Sequence, residues 1–221
     1  MVAGSERARL TATVAVGATL ALAAGCWVLS VQRMEGMDMG AETDLGSFPF
    51  FIGTWIPMMA AMMLPAAVPA VAAFIRADRG PLAAPLFVGA YIAVWAVVGV
   101  AVYALYQRHD YRAAGALTIA AGLYELTPLK RGCRQRCRES VRSGLEFGFY
   151  CVGSSIGLMV ILLALGVMSV TWMAVIAGIV FAQKVLPQRA SVDALVALGL
   201  IGLGMLVAVI PSSVPGLVGP I

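Results

Sequence analysis

Methionine is unevenly distributed along the chain, and its sulfur could do chemistry. Nine of the 12 methionines fall on the outer side of the membrane topology that the charge pattern predicts. They are Met34, Met37, Met39, Met58, Met59, Met62, Met63, Met168 and Met173. Met58 and Met62 are one helical turn apart, as are Met59 and Met63, so each pair shares a helix face. Thioether sulfur suits Cu(I) and needs no deprotonation, which favours a copper site. Core packing by a flexible apolar side chain is the alternative.

Cysteine supplies a second candidate ligand set. Cys133 and Cys137 are four residues apart in the most basic segment of the chain, and in a helix both thiols share a face. Two thiolates there could bind Cu(I) or Zn(II) with further ligands, and the surrounding arginines would favour the thiolate form. The alternative is a pair of bystander thiols. Cys26 and Cys151 lie in or beside apolar runs, so the four cysteines do not indicate a secreted disulfide framework.

Other reactive residues give little support for catalysis. Glu125 and Lys130 are five residues apart at the end of an apolar run, and we expect them to be interfacial rather than functional. His109 is the single histidine, which excludes bis-histidine haem ligation. No pattern resembles a hydrolase triad, a phosphate-binding loop or a dinucleotide-binding turn. We therefore name no catalytic residue and consider an enzyme the least supported class.

The elements that must position these residues are transmembrane helices. The 221 residues are 61% hydrophobic and 12% charged, roughly half the charge of a soluble domain. Seven apolar runs can be drawn, and lipid forces runs of this length to be helices. They cover 11–31, 50–75, 84–107, 113–129, 145–166, 169–187 and 191–211. The sequence predicts an all-α polytopic bundle of about seven spans that forms one membrane domain over residues 1–221.

The basic residues predict the orientation of this bundle. With the N-terminus inside and the C-terminus outside, 12 of the 15 lysines and arginines lie on the inner side, seven of them between Lys130 and Lys184. The net charge of +4 follows this topology signal and does not indicate a nucleic-acid partner. The expected surroundings are therefore a lipid bilayer, with the methionine-rich loop outside and the cysteine pair inside.

Three motifs in order resemble a bacterial family of unknown function that is predicted to contain metal-binding integral membrane proteins. The first is Trp55-x-x-Met-Met-Ala-Ala-Met-Met-Leu-Pro65, preceded by Met37-Asp-Met-Gly40. The second is Ala121-Gly-Leu-Tyr-Glu-Leu-Thr-Pro-Leu-Lys130, and the third is Cys151-Val-Gly-Ser-Ser-x-Gly-Leu-Met159. The resemblance covers about residues 34–190 and implies a multi-pass protein of the bacterial cytoplasmic (inner) membrane.

The same resemblance implies a metal site and shows where this chain departs from the pattern. The implied ligands are Met58, Met59, Met62, Met63, Cys133, Cys137 and Cys151. Ser154 and Ser155 occupy positions where the family usually has paired cysteines. Gln183 replaces the usual glutamate, and Glu125 replaces the usual glutamine. The sequence thus predicts a protein that binds or moves a soft metal, with copper as the expected ion. The alternative is an accessory subunit of a larger membrane complex, and the partners differ accordingly: a metal-delivery protein or other membrane subunits.

Overall fold

The computed structural model describes residues 2–35, 45–76, 82–107, 110–139, 142–186 and 190–210, and the side chains from residue 10 onward except that of residue 190. Within these ranges the chain is helical, without strands, which confirms the predicted all-α class. The helices are α1 (Val2–Met34), α2 (Phe48–Arg76), α3 (Ala83–Leu105), α4 (Tyr111–Glu125), α5 (Pro128–Glu139), α6 (Gly144–Leu165), α7 (Val170–Val185) and α8 (Ala190–Val209).

Five of these helices are long and apolar enough to cross a membrane: α1, α2, α3, α6 and α8. Helix α7 is apolar but only 16 residues long, and α4 has 15 residues. A span across roughly 30 Å of hydrocarbon takes about 20 residues, at 1.5 Å each. The figure of seven spans, and the orientation of the termini, therefore remain predictions that depend on these two short helices.

The fourth predicted run ends earlier than expected. Helix α4 stops at Glu125 rather than at residue 129, and the basic segment after it forms α5 instead of a loop. The break has a local cause: the Thr127 hydroxyl accepts a bond from the Lys130 backbone N–H, and Pro128 occupies the first position of the new helix. A threonine cap followed by proline is a typical helix start. The change brings Cys133 and Cys137 onto a helix.

Helix α2 lies at the centre of one half of the bundle and packs against α1, α3 and α7. It continues through Pro57, Pro65 and Pro69. Each proline removes one backbone donor, a cost that neighbouring helices make tolerable in a buried apolar helix. Most of the side chains of α2 are buried, so this helix supplies much of the core.

Small residues bring α6 close to three neighbouring helices. A Cβ atom at Gly148 would lie 2.9 Å from a Val94 methyl group on α3, and one at Gly157 would lie 3.1 Å from the Tyr124 ring on α4. The glycine face of α6 is therefore used for packing within the chain, as such faces often are in membrane helices. Gly153 on the same helix leaves room for the side chain of Cys133 on α5.

Candidate metal site

Two cysteines from different helices contact one lysine. Lys184 Nζ on α7 lies 3.0 Å from Cys151 Sγ on α6 and 3.3 Å from Cys137 Sγ on α5. Both cysteine side chains are buried, and Lys184 is half-buried. We call these three residues the thiol cluster. An ammonium group between two sulfurs favours thiolate, which is the form that binds metals.

Polar groups complete the surroundings of the thiol cluster. The Tyr91 hydroxyl on α3 lies 3.1 Å from Cys151 Sγ, and the Tyr91 side chain is buried. The Ser154 hydroxyl lies 3.5 Å from Lys184 Nζ and donates to the Cys151 carbonyl oxygen at 2.9 Å. The cluster therefore joins α3, α5, α6 and α7 through one sulfur-centred network.

The protonation of Cys137 is set by its neighbours. A hydrogen bond to Cys151, together with burial, raises the pKa of the Cys137 thiol above its ordinary value, and the Lys184 ammonium opposes this shift. A metal binds the deprotonated sulfur, so metal binding at Cys137 is coupled to loss of the thiol proton and depends on pH.

A cavity of about 280 Å³ opens beside the thiol cluster. One wall is made by small residues of α2, namely Ala66, Pro69, Ala70 and Ala73. The other wall carries Cys137, Lys184, Phe147, Arg134, Arg138 and Val185. The Nε atom of Arg134 is buried and has no hydrogen-bond partner among the described residues. One thiol thus faces a space that a small ligand can enter.

Two buried polar contacts hold α5 against its neighbours. Arg134 donates to Asp193 of α8 at 2.7 Å, and both side chains are buried. Lys130 forms an ion pair with Glu125 and donates to Gln183 at 3.0 Å. Buried polar groups need such partners to offset the loss of water. These contacts fix the helix that carries Cys137.

The expectation that Glu125 and Lys130 are interfacial is wrong for this fold. Their side chains are 1% and 2% exposed, and Gln183 Nε2 donates to Glu125 Oε2 at 2.6 Å. Burial lowers the pKa of Lys130, and the nearby Glu125 carboxylate opposes the shift. Glu125 and Gln183 are both positions where this chain departs from the pattern of the resemblance. Because they contact each other, the two departures together keep one carboxylate and one amide beside Lys130.

Most of the chain matches the sequence profile of a known protein family. The sequence profile of the PpoB2 family, described as copper chaperone, matches residues 52–207, more than two thirds of the chain. The chain belongs to the PpoB2 family. No curated protein and no solved structure matches it. The match supports a copper-related function and contains every residue of the thiol cluster.

The PpoB2 match also contains four of the predicted methionine ligands. Met58, Met59, Met62 and Met63 lie on α2, and each is at most 1% exposed. We call these four residues the methionine stripe. Met62 and Met63 lie about one helical turn before Ala66, which lines the cavity. The face of α2 that lines the cavity therefore continues, toward the start of the helix, into the methionine stripe. Helix geometry thus connects the stripe with the cavity.

The remaining predicted ligands fall into two groups. Cys133 is half-buried one turn before Cys137, where a Cβ atom on Gly153 would lie 2.7 Å from its sulfur. Met34 is the buried last residue of α1 rather than a loop residue, while Met37 and Met39 lie outside the described residues. The three also lie outside the PpoB2 match. The structure therefore brings Cys137 and Cys151 together and leaves Cys133 a turn away.

Lys184 is the functional candidate that the sequence analysis missed. The charge pattern predicts only an inner basic residue at this position, although an ionisable group in the last turn of an apolar helix is a functional candidate by default. In the described part of the chain, no three histidine, cysteine or acidic side chains converge on a metal position. The donors present are two thiols beside a cation, a set that fits a soft monovalent ion better than Zn(II), which takes four ligands.

Proposed function

We propose that this chain is an integral membrane copper-handling protein that binds Cu(I) as cargo between Cys137 and Cys151. Membership of the PpoB2 family supports copper as the ion. The observation that carries the proposal is the contact of one ammonium group, Lys184 Nζ, with both cysteine sulfurs. Soft thiolate ligands select Cu(I), and here they come from two helices that the tertiary structure joins.

Charge balance explains the lysine. Cu(I) held by two thiolates carries a net charge of −1, and an isolated charge in a low-dielectric interior is costly. Lys184 supplies one positive charge at hydrogen-bond distance from both sulfurs. The loaded thiol cluster is then neutral overall. Lys184 acts as a counter-ion and moves aside from the sulfurs when the ion enters.

The methionine stripe supplies a neutral route to this site. Its thioethers carry no charge, so Cu(I) can be bound and passed on without proton transfer. In the proposed topology, Met34 at the end of α1 and the predicted loop residues Met37 and Met39 lie at the outer end of this route, and the thiol cluster lies at the inner end. Cys133, one turn from Cys137, is a reserve ligand near the same end.

We further propose that the chain forms a single seven-span domain in the bacterial cytoplasmic membrane, with the N-terminus inside and the C-terminus outside. The five long apolar helices support a membrane location. Because α5 carries Cys137 and a dense set of arginines, we assign it to the cytoplasmic side. The partner on that side would be a protein or small molecule that delivers or accepts Cu(I).

The proposal is tested by loading detergent-purified protein with Cu(I) under reducing conditions and measuring bound metal by mass spectrometry. We expect one tightly bound ion per chain, which is lost in Cys137→Ser and in Cys151→Ser. Cys26→Ser is the matched control, because Cys26 lies on α1 outside the PpoB2 match, and it should keep the ion.

Two results would contradict the proposal. One is wild-type protein that binds no Cu(I); the other is copper that survives both cysteine substitutions. Metal-free protein that instead co-purifies with other membrane chains in stoichiometric amounts would favour the accessory-subunit alternative.

A further inference from the structure

The cavity beside the thiol cluster combines one thiol with three cationic side chains. Cys137, Lys184, Arg134 and Arg138 all line it, and no acidic side chain is among its lining residues. Its opposite wall is made of alanine and proline, which leave room and bring no charge. Because its charged side chains are all positive, the cavity suits a small anion better than a free metal cation.

One of the two arginines has donors to offer an anion. The Nη atoms of Arg134 already contact Asp193 and the Leu186 carbonyl oxygen, so Arg134 adds positive charge beside the cavity but no accessible donor. Arg138 is exposed, and its Nη1 donates to the Leu186 carbonyl oxygen at 3.2 Å. A guanidinium group has five N–H donors, and two of them can donate side by side to the two oxygens of a carboxylate.

The size of the cavity limits the ligand. About 280 Å³ lies just below the usual range for small-molecule sites, so the cavity admits a compact ligand and not a folded domain. A ligand that must also reach Cys137 Sγ and exchange copper needs its own soft donor. A carboxylate together with a thiol on a compact skeleton meets both requirements.

We propose that this cavity binds a small carboxylate-bearing thiol, which exchanges Cu(I) with the thiol cluster. The inference rests on the proposed function, since the exchanged ion is the one held by Cys137 and Cys151. The carboxylate binds Arg138, and the sulfur lies toward Cys137. Small thiols are abundant in the reducing cytosol, the side to which α5 is assigned.

The exchange step balances without a change of oxidation state. The incoming thiol forms a sulfur–copper bond and gives up its proton. The bond between copper and Cys137 Sγ breaks, and Cys137 takes up that proton. Copper remains Cu(I) throughout, and Cys151 stays bound until the ion leaves with the small thiol or, in reverse, is delivered by it.

The binding half of the proposal is tested on metal-free protein with a probe that cannot bind as a thiolate. N-acetyl-S-methylcysteine is compared with its primary amide by equilibrium dialysis. We expect the acid to bind at least about tenfold more tightly, because its carboxylate can accept a charge-assisted hydrogen bond from Arg138 and the amide cannot. Arg138→Gln should remove this preference. Arg136→Gln is the matched control, since Arg136 lies on α5 but contacts Tyr150 instead of the cavity.

Equal binding of acid and amide, or a preference that survives Arg138→Gln, would overturn the proposal. This readout uses no copper, so its failure is distinct from failure of the copper site itself.

The exchange half is tested on protein already shown to hold Cu(I). Release is timed with N-acetylcysteine and with its amide at equal thiolate concentration. We expect the acid to release copper about tenfold faster from wild-type protein and from Arg136→Gln, and the difference to disappear in Arg138→Gln. Equal rates for the acid and the amide in wild-type protein would refute the exchange.

Discussion

The methionine stripe and the thiol cluster present the same soft element in opposite surroundings. The four methionines come from two adjacent turns of one helix and are buried in a core shared with α1, α3 and α7. The two cysteines come from two helices and share a lysine from a third. A thioether is neutral and can be buried like any apolar group, whereas a thiolate needs a cation beside it. Neutral thioether ligands can therefore all come from one helix, whereas the two thiolates need a cation that here comes from another helix.

The two regions also differ in what holds them together. Apolar packing around α2 supports the stripe, while buried ion pairs fix α5 beside the thiol cluster. Packing tolerates substitutions that conserve volume, but a buried ion pair that loses one partner leaves an uncompensated charge. Substitutions near the thiol cluster should therefore cost more than substitutions in the stripe.

Asp193→Asn should have the largest effect on stability, and it should act through the ion pair that holds α5 beside the thiol cluster. It leaves the buried Arg134 charge without its partner, so the free energy of unfolding should fall by about 3 kcal/mol. The double variant Asp193→Asn/Arg134→Met removes both charges and should recover most of this loss. Unfolding in mixed micelles measures both values. A single variant as stable as wild type would mean that the pair does not hold α5.

Lys184→Met should lower Cu(I) affinity about 100-fold, equivalent to about 2.7 kcal/mol, because the loaded thiol cluster loses its counter-ion. Lys184→Arg keeps the positive charge and should retain more affinity than Lys184→Met. Competition with a Cu(I) chelator gives both constants. If methionine and arginine at this position behave alike, the lysine does not act through its charge.

The double variant Met59→Leu/Met63→Leu should leave the fold almost unchanged, with a loss of stability below about 1.5 kcal/mol, because leucine conserves volume. Loading of the thiol cluster should nevertheless slow, since leucine has no sulfur to bind Cu(I). Stopped-flow loading measures the rate. Met159→Leu on α6 is the buried control, and a rate equal to that of wild type in both variants would assign the stripe to packing alone.

Lys130 should give the smallest effect, a dependence of stability on pH. Burial lowers its pKa in the folded protein, so the unfolded chain holds this proton more tightly. Stability therefore rises with pH in the interval between the lowered value and the ordinary lysine pKa. Relative to Glu125→Gln/Lys130→Met, the wild-type Tm should rise by no more than about 2 °C in this interval. A wild-type Tm that falls with pH relative to that variant would mean that folding raises the pKa of Lys130 instead of lowering it.

Much of the fold followed from hydrophobicity and charge. The apolar runs predicted seven of the eight helices in the described ranges, within a few residues at most ends, because lipid-length apolar segments have few alternatives to the helix. The main errors lie at α1, which begins earlier, and at α5, which was expected to be a loop. A short basic helix has no apolar run to reveal it, and its start at Pro128 depends on local capping.

The candidate site was only partly predictable. Met58, Met59, Met62 and Met63 could be grouped from spacing alone, because residues one turn apart on a helix are neighbours whatever surrounds them. Cys137 and Cys151 were both named as ligands, but nothing in their separation of 14 residues indicated that they meet. Lys184 lies a further 33 residues away, and only the packing of α7 against α6 joins it to them.

The sequence by itself determined the helical class, the apolar character of the spans and the soft-donor composition, since these depend on residue type and local periodicity. Only the tertiary structure decided which donors share a cation and a cavity, and that Glu125, Lys130 and Gln183 form one buried network. Local spacing fixes neighbours within one helix. Contacts between helices depend on the close approach that small residues such as Gly148, Gly153 and Gly157 permit, and on buried charges finding partners.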